Sequence, residues 1–376
     1  MPGTTQPSIG LYVHVPFCRS KCAYCAFVSH AGRDAQMPRY VDVVVREIAR
    51  RAEETEHPRA CTAFLGGGTP SLLSASQIAR ILEALREAFP FDANAEITCE
   101  CNPGTLTGEF SRALRAGGVN RLSLGAQAFQ PRLLGHLGRP HDWRDVVTSV
   151  DRARQAGIEN INLDLMFGLP SQTVADMRET VEAAVGLSPT HLSCYSLMVE
   201  EGTPLARDIE AGTLPLPDEA ADRAMYELAR RILGEHGYEQ YEISNFARKG
   251  YACQHNIGCW TRVPYLGFGC AAHSFFGERR SMNPSELDAY LQGGAVEVET
   301  ISPQNARFES IMLGLRMTRG VHDADFVRMH GMGIRDAFGE QLDAPIRAGL
   351  LEWRDGALRL TRLGLDLQDS VLVDLM

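Results

Sequence analysis

Short apolar runs alternate with longer amphipathic stretches over the first two-thirds of the chain. The runs are rich in β-branched and large apolar residues, as buried strands are, and the stretches between them carry apolar residues at helical spacing. Strands that alternate with helices pair in parallel, because each helix carries the chain back along the sheet. The predicted strands are 11–15, 62–65, 96–101, 121–125, 160–165 and 191–197, and the predicted helices are 40–53, 75–88, 142–156 and 175–185.

Six strand–helix units predict an α/β fold, a partial (βα)6 TIM-like barrel over residues 1–216. The pattern then changes: residues 217–304 are predicted to extend the barrel, with a long helix at 218–237, an aromatic extended stretch at 238–246 and a loop rich in Gly, Cys and His at 251–277. Residues 305–376 show short helical patterns and a hairpin signal at Asp355-Gly356. They are predicted to form a winged-helix-like α+β appendage that packs on the barrel.

Unusual residues follow the predicted strands, on the side where a barrel of this type carries its chemistry. The first strand is followed by CRSKCAYC, the second by GGGTPS and the third by NPG. Gln127 follows the fourth strand, and Gly168-Leu169-Pro170 follows the fifth. This placement predicts an active site at the barrel mouth.

The composition and net charge of the chain disfavour several classes of protein. The chain has 376 residues with 37 Lys+Arg against 47 Asp+Glu, a formal net charge of −10, so a broad nucleic-acid surface is disfavoured. The N-terminal segment lacks a signal-peptide pattern, and no run approaches the roughly 18 apolar residues of a membrane span. We therefore predict a cytoplasmic protein whose ten cysteines are reduced thiols or metal ligands.

Cys18, Cys22 and Cys25 follow the first strand with C-x3-C-x2-C spacing. Three thiolates from one loop can hold three irons of a [4Fe–4S] cube, which leaves the fourth iron open to the amino and carboxylate groups of S-adenosylmethionine. Tyr24 stands where its ring can pack near cluster and adenine. A structural zinc site with His30 as fourth ligand is the alternative.

These residues carry a family resemblance that covers nearly the whole chain. The chain resembles the radical S-adenosylmethionine (SAM) superfamily and, within it, the HemW-type haem chaperones, relatives of the oxygen-independent coproporphyrinogen III oxidases. The matching segments are LYVHVPFCRSKCAYC, FLGGGTPSLL, EITCECNPGT, RLSLGAQAF, LGRPH, NINLDLMFGLPSQT and CQHNIGCW.

The resemblance implies two groups of SAM-binding positions. Tyr12, Gly67 and Glu100 correspond to positions around the cluster-bound SAM, and the backbone N–H and C=O groups of the glycine segment suit its methionine moiety. Whether one or two SAM molecules bind stays open, and Arg139 and Asp164 could instead form an internal ion pair. The positions that line a second SAM in the oxidases correspond to Gly68, Thr69, Gln127, Arg139 and Asp164.

The stretch 254–260, QHNIGCW, matches the element that sets HemW proteins apart from the oxidases and is associated with haem. His255 is the first candidate for a haem ligand, since imidazole is a common axial ligand. Cys259 stands where relatives usually have Tyr, and its thiolate could also bind haem iron. Trp260 and Tyr265 are candidates to cover a porphyrin face, and Cys253, Cys270 and His273 lie in the same region.

The resulting prediction is a haem chaperone that binds a [4Fe–4S] cluster, SAM and haem, with the catalytic residues left unassigned. Its expected partners are haem-accepting respiratory proteins and an electron donor such as flavodoxin or ferredoxin, with peripheral membrane association and no nucleic acid. The oxidases have a further cysteine where this chain has Phe27, which weakens the oxidase hypothesis, whereas Ala26 departs from the acidic residue common in HemW. Two more hypotheses compete with the chaperone: a HemN-like methyltransferase or cyclopropanase using two SAM molecules, and a zinc-stabilised interaction protein.

Overall fold

The computed structural model describes residues 8–376. Strands and helices alternate through its first part, as the hydrophobic pattern predicts. The elements up to residue 196 are β1 (Ile9–Val15), β2 (Phe17–Cys18), β3 (His30–Ala31), α1 (Met37–Glu54), β4 (Ala60–Gly67), α2 (Ala75–Ala88), β5 (Phe91–Cys101), α3 (Gly108–Ala116), β6 (Arg121–Gln127), α4 (Pro131–His136), α5 (Trp143–Gln155), β7 (Asn160–Phe167), α6 (Val174–Gly186) and β8 (His191–Ser196).

The second part begins with two helices and continues with short strands. Its elements are α7 (Pro204–Glu210), α8 (Glu219–Glu235), β9 (Glu239–Gln240), β10 (Asn245–Ala247), α9 (Gln254–Trp260), β11 (Tyr265–Phe268), β12 (His273–Phe276), β13 (Arg279–Met282), α10 (Leu287–Leu291), β14 (Glu297–Thr300), α11 (Pro303–Gly314), β15 (Val321–His322), α12 (Asp323–His330), α13 (Ile334–Phe338), α14 (Asp343–Arg347), β16 (Leu351–Arg354), β17 (Ala357–Leu360), α15 (Arg362–Asp366) and α16 (Gln368–Asp374).

The six predicted strands form the centre of one large sheet. β1, β4, β5, β6, β7 and β8 lie side by side in chain order, and every adjacent pair is parallel. β11 adds a parallel strand beside β1, and β10 adds an antiparallel strand beside β8. The sheet order runs from β14 to β9, and among residues 8–376 these two edges do not pair with each other. The predicted partial barrel is therefore confirmed, with added strands at both edges.

Helix α2 shows why the crossover helices form where they do. Its apolar residues Ile78, Ile81, Leu82 and Leu85 recur at helical spacing, and all four are buried. The Ser74 hydroxyl accepts from the N–H of Gln77 while the Gln77 side chain accepts from the N–H of Ser74, which is a capping box. The apolar stripe sets which side of this helix lies against the sheet, and the cap sets where the helix begins.

The C-terminal part has a separate hydrophobic core. β15, β17 and β16 form an antiparallel sheet, and the predicted hairpin at Asp355-Gly356 joins its last two strands. With helices α11 to α14 before the hairpin, the element order is that of the predicted winged-helix-like appendage. Its core residues include Ile311, Phe326 and Leu358. The boundaries predicted at 216/217 and 304/305 stay predictions, and α11 runs across the second of them.

Several elements lack a clear sequence signal. Helices α3, α4 and α7 are short, and strands β11 to β14 have four residues each. All four residues of β14 are exposed, so its sequence lacks the apolar alternation that marks a half-buried strand. No helix within residues 8–376 is long and apolar enough to cross a membrane.

Candidate functional site

The three clustered cysteines lie in the loop after β1, at the carboxyl end of the parallel strands. Their thiols are free and half-buried. Two backbone hydrogen bonds hold the loop against neighbouring segments: the N–H of Ala23 donates to Leu137 O at 3.0 Å, and the N–H of Leu205 donates to Ala23 O at 2.9 Å. Segments distant in sequence therefore set the position of the cysteines.

The thiols line a cavity of about 210 Å³ together with residues from later strands. Most of the predicted SAM-binding residues meet here, although they come from separate strand ends. The predicted residues on its wall are Cys18, Cys22, Tyr24, Cys25, Gly67, Gly68, Thr69, Glu100, Gln127, Arg139 and Asp164. Tyr12 lines a neighbouring cavity instead.

The arrangement of the three cysteine thiols suits an iron–sulfur cube better than a single metal ion. Among residues 8–376, no three His, Cys, Asp or Glu side chains converge where they could hold one metal ion. Thiolates that each bind a different iron of a cube do not need to converge on one point. Burial raises the pKa of the Cys22 and Cys25 thiols, so iron binding there must release their protons. The three cysteines on one cavity wall thus fit a [4Fe–4S] cluster.

The glycine segment packs too closely for side chains. Gly67 has φ +106°, and a Cβ on it would lie 2.5 Å from the His14 ring; a Cβ on Gly68 would lie 2.7 Å from Phe17 O. The N–H groups here are already used: Gly67 donates to Glu100, Gly68 to Val15 O and Thr69 to Phe17 O. These three N–H groups therefore already have partners within the protein, and the binding of the methionine moiety by backbone groups of this segment stays a prediction.

Two carboxyl groups face the cavity in different environments. Burial, and then the nearby Asp164 charge, raise the pKa of Glu100 to about 7. The N–H of Gly67 donates to Glu100 Oε2 at 3.1 Å. Asp164 accepts from Ser123 Oγ at 3.1 Å and from Asn162 Nδ2 at 2.7 Å. Glu100 is thus a hydrogen-bonding group that changes protonation near neutral pH.

Arg139 is held by neutral groups. It donates to Asn102 Oδ1 at 2.8 Å and to Tyr24 OH at 3.0 Å, and it makes no ion pair with Asp164. Gln127 accepts from Tyr195 OH at 3.2 Å. The ion-pair interpretation of Arg139 is therefore wrong, and its guanidinium lies on the cavity wall.

The sequence assigned no individual role to four residues at or beside this site, although Asn102 belongs to the NPG segment that it singled out. Asn102 directly follows β5 and Tyr195 is next to last in β8, so their places at strand ends were a usable signal. Ser123 lies inside a strand, and His14 interrupts an apolar run without any further local signal. Their contacts with Asp164 and Tyr12 appear only in the folded chain.

A second cavity of about 590 Å³ adjoins the first. Its wall includes both haem candidates, His255 and Cys259. Three residues, Phe27, Gly67 and Glu100, line both cavities. Its aromatic lining consists of Tyr12, Phe27, Phe64 and Tyr265 beside the rings of His14, His255 and His273.

His255 is 8% exposed and firmly oriented. Its Nδ1 lies 2.9 Å from Thr62 Oγ1, and its ring stacks on Phe64 with centroids 5.1 Å apart. Burial, and then the charge of Arg121, lower the pKa of His255 to about 4. The ring is therefore neutral at physiological pH, which is the form that binds metals. Burial raises the pKa of Cys259 to about 11. An aromatic cavity with a neutral imidazole fits a haem.

Several residues near this cavity have structural contacts instead. The Arg316 guanidinium lies 4.5 Å from the ring centre of Trp260, which does not line the cavity. Cys253 and Cys270 are buried and donate to Glu96 and Pro284 respectively. His30, the fourth ligand in the zinc hypothesis, lies outside the thiol-lined cavity, in β3.

Comparison with known proteins identifies two families along the chain. Residues 12–184 match the radical SAM superfamily, and residues 301–367 match the HemN C-terminal domain. The chain is 35% identical to "Heme chaperone HemW" of Bacillus subtilis (strain 168) over 360 residues, which cover 94% of this chain and 95% of the relative. It is 34% identical to the protein of that name from Escherichia coli (strain K12) over 355 residues, 92% of each.

The fold also resembles a solved structure. Coproporphyrinogen III oxidase (HemN) from Escherichia coli, described as a radical SAM enzyme, superposes with a TM-score of 0.86 at 25% identity. The match covers 99% of this chain and 91% of that chain.

Proposed function

This chain belongs to the HemW family of the radical SAM superfamily, and we propose that it is a haem chaperone. Membership of the superfamily implies a [4Fe–4S] cluster and SAM. Haem binding and delivery are proposed from the relatives that carry the name of haem chaperone. The HemW relatives do not favour the methyltransferase or cyclopropanase hypothesis.

One observation supports this function above the others: the thiol-lined cavity and the aromatic cavity adjoin and share three wall residues. Phe27, one of the three, is 69% exposed although it is a large aromatic residue. It follows the last cluster cysteine by two positions, so cluster assembly and the shape of the second cavity are linked through a short stretch of backbone. A haem in the larger cavity would therefore lie beside the cluster loop.

Residues on the walls of the two cavities would hold the cluster, the SAM and the haem. Cys18, Cys22 and Cys25 hold the cluster, which when bound supplies the electron for reductive cleavage of SAM. Glu100 binds polar groups of the SAM beside it, and Tyr12, on the wall of the adjoining cavity, stays a predicted SAM contact. His255 is the residue that would hold the haem iron, and Cys259 is a second candidate.

A second SAM remains a prediction for the residues that face the thiol-lined cavity from the later strands. Arg139 and Gln127 present hydrogen-bonding groups there, and Asp164 presents a carboxylate. We further propose that the haem acceptors are respiratory haem proteins, reached by peripheral membrane association from the cytoplasm. The proposed electron donor is a flavodoxin or a ferredoxin.

The test is anaerobic reconstitution with iron and sulfide, followed by haem titration and transfer to an apo-acceptor. Wild-type protein should show the broad charge-transfer absorbance of an iron–sulfur cluster, bind haem saturably and release it to the acceptor. Replacement of Cys18, Cys22 or Cys25 by Ala should remove the cluster absorbance, whereas Cys61→Ala is the matched control because Cys61 lies outside both cavities. A protein that takes up no haem at saturation would contradict the chaperone proposal.

The competing functions give different products in the same preparation. A two-SAM methyltransferase would form S-adenosylhomocysteine beside 5′-deoxyadenosine after reduction. An oxidase would consume coproporphyrinogen III. A zinc-stabilised protein would stay colourless on reconstitution.

A further inference from the structure

Two residues outside both cavity walls contact His255, which lines the larger cavity. This inference rests on the proposed role of His255 as a haem ligand. Thr62, in β4 and 3% exposed, is the side-chain partner of the His255 ring, with Oγ1 2.9 Å from Nδ1. The other ring nitrogen, Nε2, makes no hydrogen bond to residues 8–376, and it is not completely buried. It is therefore open to the cavity.

The hydroxyl of Thr62 can serve the ring tautomer that haem binding needs, because it is able to accept a hydrogen bond from Nδ1. A ligating Nε2 must carry its lone pair, so the ring proton must sit on Nδ1. The Thr62 hydroxyl is then the acceptor for Nδ1–H. Histidine ligands generally donate their second N–H to an outer partner that fixes the ring, and loss of such a partner weakens metal binding by about 10–100-fold.

Glu96 fixes the helix that carries His255. It lies in β5, is 8% exposed, and accepts from three groups at the start of α9: the N–H of Gln254 at 3.0 Å, the N–H of His255 at 3.1 Å and the thiol of Cys253 at 3.3 Å. These N–H groups have no partner within the helix, because the first turn of any helix leaves its donors free. The buried Arg121 lies near enough for the two charges to interact.

We propose that Thr62 and Glu96 are positioning residues for haem: Thr62 orients the His255 ring and accepts its Nδ1–H, and Glu96 holds the helix in place. The two residues are partners in the β4–β5 register and act on different groups of His255: Thr62 contacts the ring, and Glu96 accepts from the backbone N–H. Both residues belong to barrel strands, so the ligand is fixed to the rigid part of the fold although α9 itself is only seven residues long.

The first experiment removes the ring contact and keeps the shape. Thr62→Val lacks the hydroxyl, so the haem dissociation constant should rise about 10–100-fold and the electronic and electron paramagnetic resonance spectra of bound haem should move towards those of His255→Ala. Thr62→Ser restores a hydroxyl and should recover the wild-type spectrum. The matched control is Thr98→Val in the neighbouring strand, because Thr98 is also buried and its hydroxyl has no partner. It should bind haem as wild type does.

The second experiment removes the helix contact. The Glu96 carboxylate only accepts hydrogen bonds, whereas the amide of Gln both accepts and donates. Glu96→Gln should therefore broaden or split the spectrum of the haem-bound state and weaken haem binding. Glu47→Gln is its matched control: Glu47 is 8% exposed and accepts from Gly269, Asn283 and Tyr290, with Arg51 nearby. It should lose stability but keep the wild-type haem spectrum.

The outcomes separate this proposal from the function on which it rests. If wild type binds no haem, or if His255→Ala has the wild-type spectrum, the ligand assignment fails and this proposal fails with it. If His255→Ala loses the spectrum while Thr62→Val and Glu96→Gln keep both spectrum and affinity, the ligand assignment holds and the positioning roles are wrong. Equal spectral changes in Glu96→Gln and Glu47→Gln would reduce Glu96 to a general stabilising residue.

Discussion

Gly67→Ala should destabilise the protein strongly, because the new methyl group meets a side chain that cannot move freely. The ideal Cβ would lie 2.5 Å from the His14 ring, well inside contact distance. His14 is buried, and hydrogen bonds hold both its ring nitrogens: Nδ1 lies 2.9 Å from Tyr12 OH, and Nε2 lies 2.8 Å from Val28 O. The ring must therefore give up these contacts to make room.

The expected cost has two parts. A side chain at φ +106° costs about 1–3 kcal/mol, since only glycine adopts this conformation easily. Loss of the two His14 hydrogen bonds adds about 2 kcal/mol, at roughly 1 kcal/mol for each bond. The free energy of unfolding should fall by about 3–5 kcal/mol in total.

Denaturant unfolding of the cluster-free protein under reducing conditions measures this loss. Gly237→Ala is the matched control: Gly237 has φ +79°, but its added Cβ would meet nothing within 4 Å. It should lose only the strain energy, about 1–2 kcal/mol. In a His14→Ala background, Gly67→Ala should also cost less than in wild type. Equal losses for the two glycine variants, or additive losses in the His14→Ala background, would refute the proposed collision.

Three further predictions concern charge and packing. Because burial and Asp164 raise the pKa of Glu100 from 4.5 to about 7, its contribution to stability is fully present below pH 4.5 and is lost as the pH rises through 7. Glu100→Gln should therefore raise the unfolding free energy relative to wild type by up to about 3 kcal/mol at pH 8 and by little at pH 4, in denaturation series at the two pH values. Phe326→Ala, in the C-terminal core, should cost about 3–5 kcal/mol and lower the melting temperature, and a loss under 1 kcal/mol would contradict its burial. Arg362→Ala breaks an ion pair between the C-terminal domain and Glu227 of the barrel. Because the Arg362 side chain is 64% exposed, the unfolding free energy should change by less than about 1 kcal/mol, and a larger loss measured by calorimetry would show that solvent does not screen the pair.

The barrel strands could be predicted from the sequence because each one is marked by an apolar run of neighbouring residues. Each is an apolar run buried between sheet and helices, and the chain order of such runs fixes their neighbours when every crossover is a helix. β14 lacked this signal because it lies at the sheet edge with all four residues exposed, and its neighbour β13 lacked it because none of its residues is fully buried. The crossover helix α3 was missed for a different reason, since its nine residues offer few turns in which a period can be recognised.

Cys18, Cys22 and Cys25 could likewise be singled out from the sequence, because they lie in one loop with a spacing typical of cluster ligands, and their binding of a cluster stays a prediction. The glycine segment was only partly readable: its position was predicted correctly, but the structure alone shows that its N–H groups already bond to Glu100 and to the β1–β2 segment.

The local sequence by itself thus determined the barrel's strand order and the identity of the proposed cluster ligands, since both depend on residues close together in the chain. The tertiary structure decided which groups surround them. Arg139 meets Tyr24 across 115 positions, and His255 meets Thr62 across 193, so no local pattern could pair them. Side-chain hydrogen bonds depend on distances of a few ångströms, and only the packing of whole strands and helices sets those distances.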